Sequence, residues 1–399
     1  MQIHGKTSSI RTLGLNWAIC NSLRHAWPIY EQAQNLDGII FVPGLCRYDR
    51  VLKVACAFMT FVKEQPTRYP LPAVWLSVLI WIVFLPVVLV VGTAYVVHRT
   101  FMSRQLGVSA TALGPMSTRW MQHQLGLRPD EACAKLIKVL PNHSYAGLYA
   151  MALPVLLGHR LTGYVPKSLR YPYEGIPPVQ HQTHVRSTFV DGAIEHYLPG
   201  VEQFVVLGAG FDTRTLQLQH NHGIRCFEVD LPKTQQLKLK LLHQCGVATS
   251  GVTFVPANFL TDNWLDNLVQ AGFDPRKPAY FLWEGVTYYL SREAMEETLR
   301  TIATVAPGSV VVFDYATDVV NQMHRKPLGR LHKAILKVCR ESQTFWIPSG
   351  PPVKETLATL LDSYGLSLRE HLGWGQETRR KPLPGGLAAA IVKCPVQNK

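Results

Sequence analysis

The sequence predicts an α/β protein with a doubly wound, mostly parallel sheet, a helical cap before the sheet, and a membrane helix before the cap. Three observations lead to this expectation. From residue 203 onward, short β-branched apolar runs alternate with helix-length segments. The first run, Phe204-Val205-Val206-Leu207, passes straight into Gly208-Ala209-Gly210. Upstream, residues 71–97 carry no charged side chain.

Residues 203–232 read QFVVLGAGFDTRTLQLQHNHGIRCFEVDLP and form the centre of the expected fold. A buried strand at 204–207 leads through the glycine turn to a helix over 212–220. A second strand over 224–229 then ends at Asp230, with Glu228 two residues earlier. Such a half-fold holds a nucleotide: the glycines let backbone N–H groups approach a ligand, and the terminal carboxylate takes the ribose hydroxyls. Thr213 stands where a dinucleotide fingerprint has its third glycine. That favours an adenosine-type ligand without a pyrophosphate over NAD.

Taken in order, the chain begins with a basic, acid-poor stretch in which Lys6, Arg11 and Arg24 precede the first acid, Glu31. It reads as a transit peptide or as a loosely ordered tail. Residues 51–62 are apolar but short and are interrupted by Lys53, which fits an interfacial or buried helix. Residues 71–97 are long enough to exceed the roughly 30 Å of hydrocarbon at about 1.5 Å per residue. Trp75, Trp81 and Tyr95 supply rings for the interfaces, and Pro86 kinks such a helix without forbidding it. The segment is read as a single-pass anchor, with the catalytic part expected on the cytosolic side. Arg68 and His98-Arg99 flank both ends, so charge alone does not set the orientation.

A linker is expected over 98–117, after a low-signal region over 1–70 and the anchor, with one catalytic domain over 118–399. Within that domain, helices are expected over 118–139 and 185–197. The apolar stretch 144–158, broken by Pro154, belongs to the cap. Asn142-His143-Ser144 has the form of a glycosylation sequon, and 171–178 is a proline-rich loop. After Asp230, helices over 233–244, 262–270 and 292–305 alternate with strands over 252–256, 279–283 and 309–313. An insertion over 316–352 precedes two last strands, 367–371 and 387–394, one of them antiparallel. In the insertion, Leu328, Leu331, Ile335 and Val338 share a helical face, while Arg330, Lys333, Lys337 and Arg340 take the rest. This is a lid helix, or a basic helix set against an anionic acceptor or anionic lipid.

Bulk composition narrows the function. An apolar content of 47% over 399 residues builds a sizeable core. A net charge of +13 gives a basic surface with affinity for anionic lipid or an anionic substrate. No nucleic-acid recognition motif accompanies that charge. The eight cysteines include no CxxC pair and read as reduced thiols. No G-x-S-x-G elbow and no P-loop occur. His181 and His184, three apart, lack a third metal ligand, so no metal is expected.

Three linked motifs, VVLGAGFDTR, FEVDLP followed by Lys238, and FLWEGVTYYL, stand in this order with Phe273-Asp274-Pro275 before the third. Together, over residues 115–395, they resemble the leucine carboxyl methyltransferase family, and within it the branch of polyketide carboxyl O-methyltransferases and bacterial-type S-adenosylmethionine-dependent methyltransferases. The resemblance implies a seven-stranded class I methyltransferase sheet, S-adenosyl-L-methionine as cofactor, and O-methyl transfer to a carboxylate of a small hydrophobic or polyketide-like acceptor. A peptide C-terminus as acceptor, or a silent membrane-tethered binding module, is the alternative. Arg186, in Arg186-Ser187-Thr188-Phe189-Val190-Asp191, matches the arginine that holds the methionine carboxylate, with Ser187 in place of the usual threonine. Gly208 and Gly210 match the cofactor turn, Asp212 and Arg214 the DTR that follows, Asp230 the ribose acid, and Glu284 the acid at the methionine end. Asn258, followed by Phe259, stands where an aspartate usually lies beside the adenine. An ionised carboxylate acceptor needs no general base. A hydroxyl acceptor would need one, with His181, His184, Tyr288 and Asp314 as candidates.

Overall fold

The computed structural model describes residues 69–394 apart from 110, 220–222, 324, 326, 339–345, 351 and 379–380, and only the backbone of 327, 328, 331, 332 and 335. The expectations for residues 1–68 and for Arg340 lie outside the described residues.

Seven strands form one sheet in the order β3-β2-β1-β4-β5-β7-β6. They are β1 Gln203–Leu207, β2 Arg225–Asp230, β3 Val252–Pro256, β4 Ala279–Trp283, β5 Val310–Ala316, β6 Leu366–Gly373 and β7 Gly385–Val392. The first five run parallel, and β7 is antiparallel to both β5 and β6. This is the class I methyltransferase arrangement. Strand β1 is wholly buried, and its Val206 lies opposite Glu228 on one side and Leu282 on the other. The chain winds outward from β1 through β2 and β3, then returns to start β4 on the other side. The crevice beyond the carboxyl ends of β1 and β4 is therefore the switch point where ligands bind.

Alternation along the strands divides the core between two faces. Val205, Leu207, Phe227, Val229, Phe281, Trp283, Val311 and Phe313 pack on one side. Phe204, Val206, Cys226, Tyr280, Leu282, Val310 and Val312 pack on the other.

The described helices are α1 Leu71–Leu106, α2 Leu113–Gln124, α3 Glu131–Val139, α4 Tyr145–Thr162, α5 Gln182–Tyr197, α6 Arg214–Leu218, α7 Pro232–Gln244, α8 Trp264–Gln270, α9 Arg292–Ala303, α10 Val319–Met323, α11 Pro327–Val338 and α12 Val353–Ser363. Helix α6 is shorter than the 212–220 expected from sequence. The Asp212 carboxylate accepts from Arg214 N at 2.7 Å, which keeps Asp212 itself outside the helix. Pro232 starts α7 with φ already set for a helix.

Helix α1 runs past residue 97 without a break and ends at Gly107, whose φ is +63°. Its 36 residues span roughly 54 Å. The helix does not project from the domain but lies along α4, and small residues set the approach. A Cβ at Gly158 would sit 3.3 Å from Ser77 Oγ, and one at Gly147 would sit 3.3 Å from the Tyr95 ring. Ser77 and Thr162 hydroxyls meet at 3.2 Å. Helix α4 in turn packs Tyr145 and Tyr149 on Trp120. Both ends of α1 are held: Tyr69 lies edge-on to Tyr164 with Arg170 over its ring, and Gly107 lies against Lys233. The outer side is apolar and open, with Trp75, Val83 and Val90 at 68%, 66% and 72% exposure. Asn142, of the sequon-like Asn142-His143-Ser144, is fully buried and donates to Ser103 Oγ.

Candidate active site

The glycine turn is built by β1 ending where β2 ends. Gly208 N and Ala209 N both donate to Val229 O, at 2.7 and 3.2 Å, and Gly210 N donates to Asp230 Oδ2 at 2.5 Å. Gly208 and Gly210 have φ of +66° and +47°. A Cβ on Gly208 would stand 2.5 Å from Val286 Cγ2. Gly208→Ala is therefore expected to cost about 1–3 kcal/mol, from a left-handed backbone plus that contact. Adding Val286→Ala should return only the steric part, which thermal denaturation of the single and double variants will show.

Asp230 is 9% exposed, and its second oxygen accepts from Leu231 N at 2.6 Å. Burial raises its pKa, while the two backbone N–H groups and Lys238 oppose the rise. Beneath the turn, Lys238 donates to Glu228 and to Asp212 O, both at 2.6 Å, and Glu228 also accepts from Thr215. This buried lysine pins the loop from below. The sequence motif contains Lys238 but does not reveal that role.

Four arginines and five carboxylates form a continuous buried chain around the turn. Arg214 contacts Asp191 at 2.9 Å, Asp212 at 2.6 Å and Glu284 at 2.8 Å. Arg119 adds a second bond to Asp212 at 2.6 Å, and Arg128 joins Asp191 to Asp130 at 2.5 and 2.9 Å. Arg186 meets Asp314 at 2.7 Å and Glu284 at 3.9 Å, and donates to Tyr288 Oη at 2.8 Å. Asp212 and Arg214 thus form the ion pair that shapes the loop. The Asp212 carboxylate is engaged by two guanidinium groups and by Arg214 N.

Burial pushes the Asp191 carboxyl up, but Arg128 and Arg214 outweigh it and hold the pKa at about 2. Asp212, between Arg119 and Arg214, is held lower still against the same burial. Both lie below the roughly 3.9 of an unfolded aspartate, so their stabilisation is complete above about pH 4 and is lost as the pH falls toward 2. Asp191 alone accounts for on the order of 2 kcal/mol of that loss. Burial raises Glu228, Asp230 and Asp314, which therefore act in the opposite sense, gaining stability as they protonate on the way down to pH 4. Thermal denaturation from pH 4.5 to 2.5 should show a steep acid limb belonging to the arginine network.

The structure brings Arg186, Gly208, Gly210, Asp212, Asp230 and Glu284 together at the switch point. Asn258 and Phe259 follow β3 beside Asp230, since Ala257 N donates to Asp230 O at 2.9 Å. The Asn258 oxygen accepts from Leu260 N at 3.0 Å, closing its own turn. Sequence assigns no role to Arg119, Arg128, Asp130 and Asp191, because apart from the Arg128–Asp130 pair their partners around the turn are 23 to 93 residues away. Asp191 sat in the Arg186 motif as the one available signal. Residues 107–112 were likewise read only as linker. In the fold, Thr111 accepts from Tyr289 Oη at 2.9 Å and Ala112 Cβ lies 4.0 Å from the position of a Cβ on Gly210. The end of α1 therefore leads directly into contact with the glycine turn.

The residues fit an adenosine-type cofactor with a methionine tail. The two left-handed glycines keep the turn free of side chains next to Asp230, with Val286 packed directly against Gly208. Arg186 Nε is buried without a hydrogen-bond partner, beside Glu284. Among the described residues no group of three or more His, Cys, Asp or Glu could hold a metal ion.

The fold and this site define a class I methyltransferase domain. Residues 168–303, which contain Arg186, both glycines, Asp230 and Glu284, match the family model for leucine carboxyl methyltransferase. A Bacillus subtilis (strain 168) relative, "Putative S-adenosyl-L-methionine-dependent methyltransferase YktD", is 34% identical over 183 residues, covering 43% of this chain and 56% of its own. A Saccharopolyspora erythraea relative of the same description is 40% identical over 132 residues, covering 33% and 46%. The chain spans about half the length of these curated relatives. Among solved structures, magnesium protoporphyrin IX methyltransferase from Synechocystis PCC 6803 with bound SAH aligns at TM-score 0.34 and 12% identity, over 55% of this chain and 90% of that one. That likeness is too slight to add to the strand order.

Proposed function

We propose that this protein is an S-adenosyl-L-methionine-dependent O-methyltransferase that methylates the carboxylate of a hydrophobic acceptor at a membrane. The observation that carries the reading is the pairing of the Gly208–Asp230 cradle with the Arg186–Glu284 pair across the switch point, inside the segment that matches the family. Gly208 and Gly210, whose own N–H groups are taken by Val229 O and Asp230, make the side-chain-free turn against which the cofactor lies, and Asp230 takes the ribose hydroxyls. Arg186, oriented by Asp314 and Tyr288, holds the methionine carboxylate, and Glu284 stands near the cationic end. Asp212 shapes the turn through its two arginines, and Asn258 and Phe259 flank the adenine. When bound, the cofactor supplies an electrophilic methyl group on a good leaving group. The protein's part is to align the acceptor and exclude water.

A carboxylate acceptor suits this site better than a hydroxyl, because none of the four candidate bases is poised to take a proton. Asp314 is ion-paired to Arg186, and Tyr288 Oη is bonded by the same arginine. His181 meets Tyr173 Oη at 3.1 Å, and burial lowers His184 to about 4. A carboxylate is already ionised at neutral pH and asks for no base. Helix α1 is long and apolar enough to cross a membrane and is open along its outer side, which supports the membrane setting. Free thiols at Cys133, Cys226, Cys245 and Cys394 fit a domain on the cytosolic side. Incubation with labelled cofactor and a panel of hydrophobic carboxylic acids, their alcohols and C-terminal peptides tests the reading. Label should enter the acids as base-labile esters. Transfer confined to alcohols would refute the carboxylate assignment, and transfer confined to peptides would assign a protein acceptor.

A further inference from the structure

From Asp318 to Glu341 the chain has no acidic residue, while Arg325, Lys326, Arg330, Lys333, Lys337 and Arg340 fall between them. The structure adds what the sequence lacked: α11, which carries three of these charges, packs against α1. Arg330, Lys333 and Lys337, spaced three and four apart, lie on one helical face and are exposed. Leu336 is buried, which anchors the helix, while Val338 is 43% exposed. Among the described residues no acid pairs with Arg325, Arg330, Lys333 or Lys337.

Some surface cations elsewhere are paired, as in Lys277–Glu202 at 2.7 Å and Arg300–Glu296 at 3.1 Å, while others such as Lys240 and Lys354 are not, among the described residues. The α11 cations stand out by their number in one stretch of 22 residues, 319–340, that holds no acid. Their helix touches α1, whose outer side is apolar and uncharged from residue 71 to 97. An apolar surface edged by unpaired cations matches a bilayer, in which hydrocarbon is bordered by a layer of anionic phosphates. We infer that α11 is a headgroup-binding helix that docks the catalytic domain on anionic lipid beside α1. This rests on the proposed membrane contact of α1. The alternative occupant, an anionic acceptor steered toward the site, is a separate outcome of the test.

The full chain is reconstituted into vesicles of phosphatidylcholine alone and of phosphatidylcholine with about a third phosphatidylglycerol, and amide hydrogen exchange is followed over residues 327–338. Exchange should slow about tenfold in the anionic vesicles only, and 0.5 M salt should restore the neutral-lipid rate. The variant R330Q/K333Q/K337Q should lose the protection, while Arg330→Lys keeps it. All three side chains are exposed, so both variants should melt as the parent does. Equal exchange in the two lipids, or full protection in the triple variant, overturns the proposal. A raised KM for an anionic acceptor without any change in protection also overturns it and assigns the charges to substrate steering. Failure of the parent chain to float with either vesicle refutes the membrane reading of α1, and this inference with it.

Discussion

Replacing Arg214 with methionine is expected to lower the melting temperature by roughly 5–20 °C, the largest loss from any single substitution considered. Arg214 is 2% exposed and bonds to Asp191, Asp212 and Glu284 at once. Methionine fills similar volume but leaves three carboxylates in a buried site with one fewer cation. Removing one partner of a buried charge cluster costs about 3–5 kcal/mol, because the remaining charges keep their desolvation penalty. At about 2–4 °C per kcal/mol for a domain of this size, that gives the stated shift. The acid limb below pH 4 should flatten at the same time, since Asp191 and Asp212 lose a cation that holds their pKa values down. Lys277→Gln is the contrast: its partner Glu202 and Lys277 itself are about half exposed, so the melting temperature should move by no more than about 2 °C. Differential scanning fluorimetry in detergent reads both. Equal shifts would mean that the buried network is not what holds the site together.

Asp230→Asn should leave the fold nearly intact and weaken cofactor binding about 10- to 100-fold. The amide keeps the shape of the carboxylate and one oxygen to accept from Gly210 or Leu231 N. It replaces the other acceptor with a donor, which faces ribose hydroxyls that must themselves donate. A hydrogen bond to a charged group is worth about 1.5–3 kcal/mol, and each 1.4 kcal/mol is tenfold in affinity. Burial already raises the Asp230 pKa, so neutralising it relieves a cost in the unliganded protein. The amide NH2 also leaves one of the two backbone N–H groups without its acceptor, which offsets that relief, so the melting temperature should move little while affinity falls. That combination separates a binding role from a structural one.

The sheet was legible in the sequence because a buried parallel strand needs a short run of β-branched or aromatic apolar residues, and FVVL, CFEV, YFLW and VVVF state that need locally. Gly208, Gly210 and Asp230 were legible because a backbone turn with positive φ and a carboxylate at a strand end are also local requirements. The arginine network was not, because ion pairing has no sequence period. Arg119 meets Asp212 across 93 residues, and only the folded cap brings them together. The DTR motif places Asp212 and Arg214 after the glycines without distinguishing a ligand contact from an ion pair, and the geometry shows the ion pair. The reach of α1 beyond residue 97 was hidden by its polar last turns. His98, Arg99 and Arg104 look like the end of an apolar segment, yet they continue the same helix toward the glycine turn.

Calorimetric titration of the full chain in detergent with S-adenosyl-L-methionine, and separately with its demethylated product, tests the central claim most directly. The account predicts saturable binding of both at a single site, weakened in Asp230→Asn as above. Heat changes no larger than those of dilution for both compounds, from protein that melts cooperatively, would contradict it.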